Sequence, residues 1–180
     1  WIFNFAAIAI LVLASPFVSL AFGDNFVLAF PVVIMISLNF YATGMRQTCI
    51  TFKSAYGILI QDVHKAYIEA IVNLVVSIIL VQKMGIFGVL LGTLISNYAV
   101  AFWIEPRVLF KYGFKKKTTK YFGTYFLFML TYVAGALMTY WSASLVTITG
   151  FLGFVIDILL VLTIPNALVW LVWHRSQPYT

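Results

Sequence analysis

Long apolar runs alternate with short polar stretches along the chain, and this pattern predicts six membrane-spanning helices. Each helical crossing of a bilayer needs about 20 mostly apolar residues. Backbone polar groups in lipid must be hydrogen-bonded within their own segment, so the runs predict helices rather than open strands. We expect an all-α polytopic transmembrane helical bundle, with helices at about residues 1–22, 26–44, 66–82, 87–104, 121–141 and 154–173.

The positive charges predict how these helices are oriented. All of the eleven Lys and Arg residues except Lys83 fall on one side of a six-crossing arrangement. Lys and Arg near the ends of membrane helices are retained in the cytoplasm, which sets the orientation. We therefore expect both ends of the chain to be cytoplasmic, including the C-terminal tail with Arg175.

Composition supports a membrane protein and argues against a nucleic-acid partner. The chain is 63% hydrophobic and 9% charged, whereas soluble domains carry about 25% charged residues. The net charge of +6 comes from residues that flank apolar runs, where they attract anionic lipid headgroups. The single cysteine, Cys49, excludes an internal disulfide and is read as a small buried residue. Because the chain starts at Trp1 within an apolar run, we expect it to be a C-terminal fragment.

A polar stripe marks the third predicted helix. Its members, which recur every three or four residues, are Asp62, Lys65, Glu69, Asn73 and Ser77. This spacing places them on one helix face. Polar side chains in a membrane helix turn away from lipid, so the stripe has two interpretations. It lines a wet cavity that meets a polar substrate, or it makes interhelical hydrogen bonds below a solvated helix end.

Two groups of cations are candidates for binding anions. Arg46 and Lys53 follow Asn39 and share a face if the second helix continues past the membrane; Arg suits bidentate phosphate binding. They capture an anionic lipid headgroup or serve as ordinary flanking charges. The basic segment Lys111–Lys120 is interleaved with aromatic residues. It lies on anionic lipid, sets the topology, or does both.

Two further features concern the interior of the bundle. Gly88, Gly92 and Ser96 form a small-residue ridge that predicts close helix packing. Asp157 is a first-turn surface residue if the last helix starts near residue 154, and suggests ion coupling if the helix starts near Gly150. We favour the surface position.

Ordered motifs along the chain carry a family resemblance. They are Leu38–Tyr41, Gly44–Arg46, Thr51–Gly57, Gln61–Asp62, Glu69–Leu74, Ser77–Val81, Gly85–Ser96 and Glu105–Pro106, with Pro16–Phe17 and Ile164–Asn166 towards the two ends. Together they cover essentially the whole chain. The sequence resembles bacterial polysaccharide and O-antigen flippases, the polysaccharide transporter branch of the multidrug/oligosaccharidyl-lipid/polysaccharide exporter superfamily.

The resemblance implies a transporter of 12 to 14 helices in two lobes, of which this chain supplies the last six. Such proteins move a polyprenyl-diphosphate-linked oligosaccharide across the inner (cytoplasmic) membrane during biosynthesis of surface polysaccharide. The resemblance assigns substrate binding to Arg46, Lys53, Glu69 and Asn73. It implies neither a catalytic residue nor a cofactor or metal. Expected partners are the lipid-linked oligosaccharide, membrane lipids, a polysaccharide polymerase and a chain-length regulator.

Two other functions compete with this one. A multidrug/cation antiporter of the same superfamily would need carboxylates in the membrane core, where only Asp157 is available. A polymerase or ligase would need a large outer loop with catalytic residues, and the predicted outer loops are short. The sequence has no paired-His motif, GxSxG or phosphate-binding loop. We therefore expect a protein that is not an enzyme.

Overall fold

The computed structural model describes residues 1–58, 60–148 and 150–173, and these residues form six long helices without a strand. The helices are α1 (Ile2–Phe22), α2 (Phe30–Ala55), α3 (Val63–Met84), α4 (Ile86–Phe114), α5 (Thr119–Ser144) and α6 (Phe151–Trp173). Short 3-10 turns precede α2 and α3, at Asp24–Phe26 and Ile60–Asp62. The predicted all-α class is confirmed.

Five of the described helices are long and apolar enough to cross a bilayer, so the chain is a multi-pass membrane protein. The exception is α2, because it carries Asn39, Arg46 and Lys53 among other polar residues. No residue of α3 is buried, and apolar side chains such as Ile71, Leu74 and Ile78 are exposed along it. Such a surface suits contact with lipid rather than water.

Two helices extend well beyond their predicted bounds. The second begins at Phe30 instead of residue 26 and continues to Ala55 instead of ending at residue 44. The fourth continues to Phe114 rather than residue 104. Hydrophobic length marks only the part of a helix that lipid surrounds, whereas the backbone hydrogen bonds continue beyond it. Much of the sequence predicted as basic loops is therefore helical. The tail with Arg175 lies outside the described residues.

Residues 1–33 and 126–173 form one compact unit. Its helices α1 and α6 run antiparallel: the indole N–H of Trp1 donates to Oδ1 of Asn166 at 2.8 Å. Near the other end of α1, the rings of Phe17 and Phe154 lie 6.3 Å apart. The buried residues of α1 follow helical spacing along one stripe, namely Asn4, Ala7, Ile8 and Val12.

Residues 34–125 form the second compact unit, which is built on the α3–α4 hairpin. Gly85 joins the two helices with φ 57°, in the left-handed region that favours glycine. A Cβ at Gly92 would lie 2.9 Å from the backbone nitrogen of Ser77, and one at Gly88 would meet the carbonyl of Leu80. The small residues therefore bring α4 against α3, as predicted.

We expect Gly92→Ala to lower the free energy of unfolding by about 1–3 kcal/mol, because the added methyl group collides with the backbone of α3. The matched control is Gly123→Ala in α5, where a Cβ would meet no atom within 4 Å. That variant should unfold at the same denaturant concentration as the parent or at a slightly higher one, because Ala favours a helix more than Gly does. Denaturant titration in mixed micelles measures both. An equal loss of unfolding free energy in Gly92→Ala and Gly123→Ala would contradict the close packing of α4 against α3.

Candidate functional site

Four charged side chains from three helices meet in an ionic cluster, which we define as Arg46 of α2, Lys65 and Glu69 of α3, and Glu105 of α4. All four belong to the compact unit of residues 34–125. The cluster contains two cations and two carboxylates, so its net charge is zero. Because neighbouring charges compensate one another, the free-energy cost of their partial burial is reduced.

Arg46 is the centre of the cluster. Its Nη1 and Nη2 atoms donate to the two carboxylate oxygens of Glu69 at 2.6 and 3.1 Å. Its Nε and Nη2 atoms donate to Glu105 at 3.0 and 2.7 Å. The planar guanidinium thus makes a bidentate contact with each carboxylate, a geometry that a lysine ammonium does not provide. One side chain thereby joins α2 to both α3 and α4.

Lys65 completes the cluster from one turn before Glu69 on α3. Its ammonium pairs with Glu105 and lies 3.4 Å from Glu69. Glu105 therefore serves two cations, and its side chain is only 1% exposed. Glu69 is the more accessible carboxylate, with 20% of its side chain exposed.

Local distortion of α4 precedes Glu105. A π-helical turn covers Asn97–Ala101, and the amide of Phe102 donates to the carbonyl of Asn97, five residues back. A π turn inserts a residue into the helical repeat and changes the direction in which the next side chains point. Pro106 then lacks the N–H that would bond to the carbonyl of Phe102. Glu105 lies between these two irregularities.

Lys53 makes a separate ion pair with Asp62, and each side chain is only 6% exposed. Asp62 immediately precedes α3. The amide of Ile58 donates to the carbonyl of Lys53 at 2.9 Å, which turns the chain after the end of α2. The pair thus connects α2 to the start of α3 across a short linker, and the Lys53 ammonium is neutralised by a carboxylate.

The remaining predicted site residue, Asn73, takes part in contacts between α3 and α4. Its Oδ1 accepts hydrogen bonds from the hydroxyls of Ser77 at 3.0 Å and Thr93 at 3.5 Å. The polar stripe therefore faces neighbouring helices in this structure. This is the interhelical alternative, and substrate binding by Arg46, Lys53, Glu69 and Asn73 stays a prediction.

Sequence reasoning missed the central role of Glu105, which was noted only as part of a motif. It is the one carboxylate between Glu69 and Asp157 in the sequence. That isolation was the available signal. Cys49 agrees with its prediction as a small buried residue: it is 2% exposed, and its sulfur lies 3.4 Å from the hydroxyl of Tyr121.

Asp157 lies deeper than its favoured position, because α6 starts at Phe151 rather than near residue 154. It is half-buried, and its Oδ1 has no hydrogen-bond partner among the described residues. The side chain lines a pocket of about 270 Å³ together with Ser15, Tyr140 and Ser144. The expectation of a first-turn surface carboxylate is wrong at this point, since an extra turn of helix precedes it.

No group of three or more His, Cys, Asp or Glu side chains that would suit a metal ion occurs among the described residues. Comparison with protein-family models, curated proteins and solved structures finds no match. The flippase resemblance therefore stays a prediction carried by the motifs themselves.

We expect Glu105→Gln to lower the free energy of unfolding by about 3 kcal/mol, because it leaves two cations with one carboxylate at a buried position. The matched change Glu69→Gln should cost about 1 kcal/mol, since Glu69 is more exposed and Glu105 still neutralises Arg46. Denaturant titration in mixed micelles gives both values. If Glu69→Gln lost more unfolding free energy than Glu105→Gln, Glu105 would not be the more important carboxylate of the cluster.

Proposed function

We propose that this chain is part of a flippase that moves a polyprenyl-diphosphate-linked oligosaccharide across the cytoplasmic membrane. The polymer served would be a surface polysaccharide such as O-antigen, capsule or a teichoic-type polymer. The proposal involves no covalent chemistry. It treats the described helices as one portion of a larger two-lobe transporter, as the motif resemblance implies.

The observation that carries the proposal is the convergence of the motif residues. Arg46, Glu69 and Glu105 belong to three of the motifs that resemble the family, and they are far apart in the sequence. In the structure Arg46 donates hydrogen bonds to both carboxylates, at distances of 2.6 to 3.1 Å. Shared motifs that meet at one charged cluster are consistent with a common functional position.

The cluster also has chemistry suited to a diphosphate. A guanidinium binds carboxylate and phosphate oxygens in the same bidentate manner. A diphosphate that approaches Arg46 competes with Glu69, which is 20% exposed, while the buried Glu105 continues to hold the guanidinium. Exchange of one anion for another keeps the cation neutralised throughout. Substrate entry is thereby coupled to loosening of the α2–α3 contact.

Orientation follows from the positive charges. The ends of α2 and α4 that carry the basic residues are assigned to the cytoplasmic side. The lipid-linked substrate is made available on that side, so the ionic cluster meets the diphosphate before transfer. A polysaccharide polymerase and a chain-length regulator would act on the product, and they are proposed partners on the other side of the membrane.

A multidrug/cation antiporter is the second candidate, and one observation favours it. Asp157 lies in a pocket, and its Oδ1 has no hydrogen-bond partner in the part of the chain that the structure describes, as expected of a coupling group for a proton or cation. Efflux of a cationic dye that depends on an ion gradient and is lost in Asp157→Asn would support this candidate. If the parent protein showed no dye efflux, the antiporter would be excluded as a candidate.

The proposed function is tested with the full-length protein in proteoliposomes that contain a fluorescent polyprenyl-diphosphate oligosaccharide. Transfer between leaflets is followed by the access of an added glycosidase to the sugar. We expect transfer to exceed that of protein-free vesicles and of vesicles with an unrelated multi-pass protein. Transfer no faster than in those controls would contradict the proposal.

Arg46→Lys should lower the rate of transfer per folded protein by roughly tenfold, because lysine keeps the charge but loses both bidentate contacts. The matched control is Lys83→Arg, in the last turn of α3. Lys83 is exposed and makes no ion pair among the described residues, so its exchange should leave transfer unchanged. If Arg46→Lys transferred the substrate at the parental rate, the bidentate contacts of the guanidinium would not be needed for transfer.

A further inference from the structure

Eight of the ten Lys and Arg residues between positions 34 and 125 form two populations that differ in pairing and exposure. Arg46, Lys53 and Lys65 are at least partly buried, and each contacts a carboxylate. The second population comprises the five lysines of the basic segment, which we define as Lys111–Lys120. These lysines are exposed and make no ion pair in the part of the chain that the structure describes.

The lysines of the basic segment have no acidic neighbour in sequence either. No Asp or Glu occurs between Glu105 and Asp157. The three carboxylates at this end of the unit, Asp62, Glu69 and Glu105, are already used by the first population. The positive charge of the basic segment is therefore uncompensated within the described protein and is available to an external anion.

The backbone presents these lysines as a surface rather than as a pocket. The π-helical end of α4 covers Leu109–Phe114, and Lys115 follows in the left-handed conformation with φ 52°. The amide of Lys116 donates to the carbonyl of Phe110 at 3.1 Å, which closes the helix end. Lys115, Lys116 and Lys117 then lie in a short turn before α5 begins at Thr119. Consecutive side chains in such a turn spread in different directions.

Aromatic rings lie next to the lysines. Phe114 packs edge-on against Phe52 and Tyr56, with centroids 5.6 and 5.5 Å apart. Phe52, Tyr56 and Tyr112 remain exposed, and the ammonium of Lys111 lies 5.1 Å from the ring centre of Tyr112. Exposed aromatic rings beside lysines are typical of the headgroup level of a bilayer, where the rings are partly in hydrocarbon and the cations meet phosphates.

We propose that the basic segment is a binding surface for anionic phospholipid headgroups, distinct from the ionic cluster and independent of whether the protein transports a glycolipid. The partner is a bilayer phospholipid because the lysines are spread over a turn that follows a membrane-length helix. Exposed aromatic rings place that turn at the headgroup level. Lysines on a flexible stem suit several headgroups at a surface better than one enclosed phosphate.

The test is a binding titration of phosphatidylglycerol into the chain held in a neutral-detergent micelle, with phosphatidylcholine as the zwitterionic reference. The variant replaces Lys115, Lys116, Lys117 and Lys120 by Gln together. We expect its affinity for phosphatidylglycerol to fall at least roughly tenfold, since each lysine near an anionic surface contributes several-fold. Affinity for phosphatidylcholine should not change.

Two control variants separate charge from structure. Replacing the same four lysines by Arg keeps the charge and should keep the preference for phosphatidylglycerol. Lys83→Gln removes an exposed lysine outside the basic segment and should leave the preference for phosphatidylglycerol unchanged. The unfolding temperature of every variant is measured in the neutral detergent alone, where we expect parental values because the replaced lysines make no ion pair with any residue that the structure describes. Raising the salt concentration to about 0.5 M should abolish the preference.

Three results would overturn the proposal. The first is parental affinity for phosphatidylglycerol in the folded four-Gln variant. The second is displacement of the lipid by inorganic pyrophosphate at equal concentration, which would indicate a phosphate pocket rather than a surface. The third is tighter binding of a short oligonucleotide than of phosphatidylglycerol, which would assign the segment to a nucleic-acid partner.

Discussion

The contact of Arg46 with two carboxylates is the interaction on which the unit of residues 34–125 depends most. One guanidinium bonds Glu69 of α3 and Glu105 of α4 from a position on α2. Helices in lipid gain little from hydrophobic burial against one another, so polar contacts and close packing must supply specificity. The glycine contacts of α4 with α3 supply the packing, and the ionic cluster fixes which helix ends lie together.

The cations of this unit differ in whether a carboxylate neutralises them. Positive charges that orient membrane helices need no carboxylate partner, and the lysines of the basic segment make no ion pair among the described residues. Arg46, Lys53 and Lys65 differ because each is held by a carboxylate. A buried cation without a counter-charge is costly, whereas an exposed one is solvated. The same residue types therefore serve internal structure at one place and external anions at another.

Hydrophobic pattern and helix spacing predicted the all-α class, the number of helices and the packing role of Gly88 and Gly92. The pattern could not predict where α2 and α4 end, because helices continue past the lipid without an apolar signal. Spacing placed Lys65 and Glu69 on one face, yet it could not identify their partners. Glu105 comes from another helix, and its direction depends on the π turn at Asn97–Ala101. Contacts of this kind arise from three-dimensional packing rather than local sequence.

Arg46 and Glu105 stabilise the unit by neutralising each other, and a double-mutant cycle measures this stabilisation directly. Arg46→Met and Glu105→Gln each leave the cluster with an unbalanced charge, whereas the double variant retains the neutral pair of Lys65 and Glu69. We expect the double variant to lose less unfolding free energy than the two single losses together, by about 2 kcal/mol. Additive losses, within about 0.5 kcal/mol, would contradict the claim.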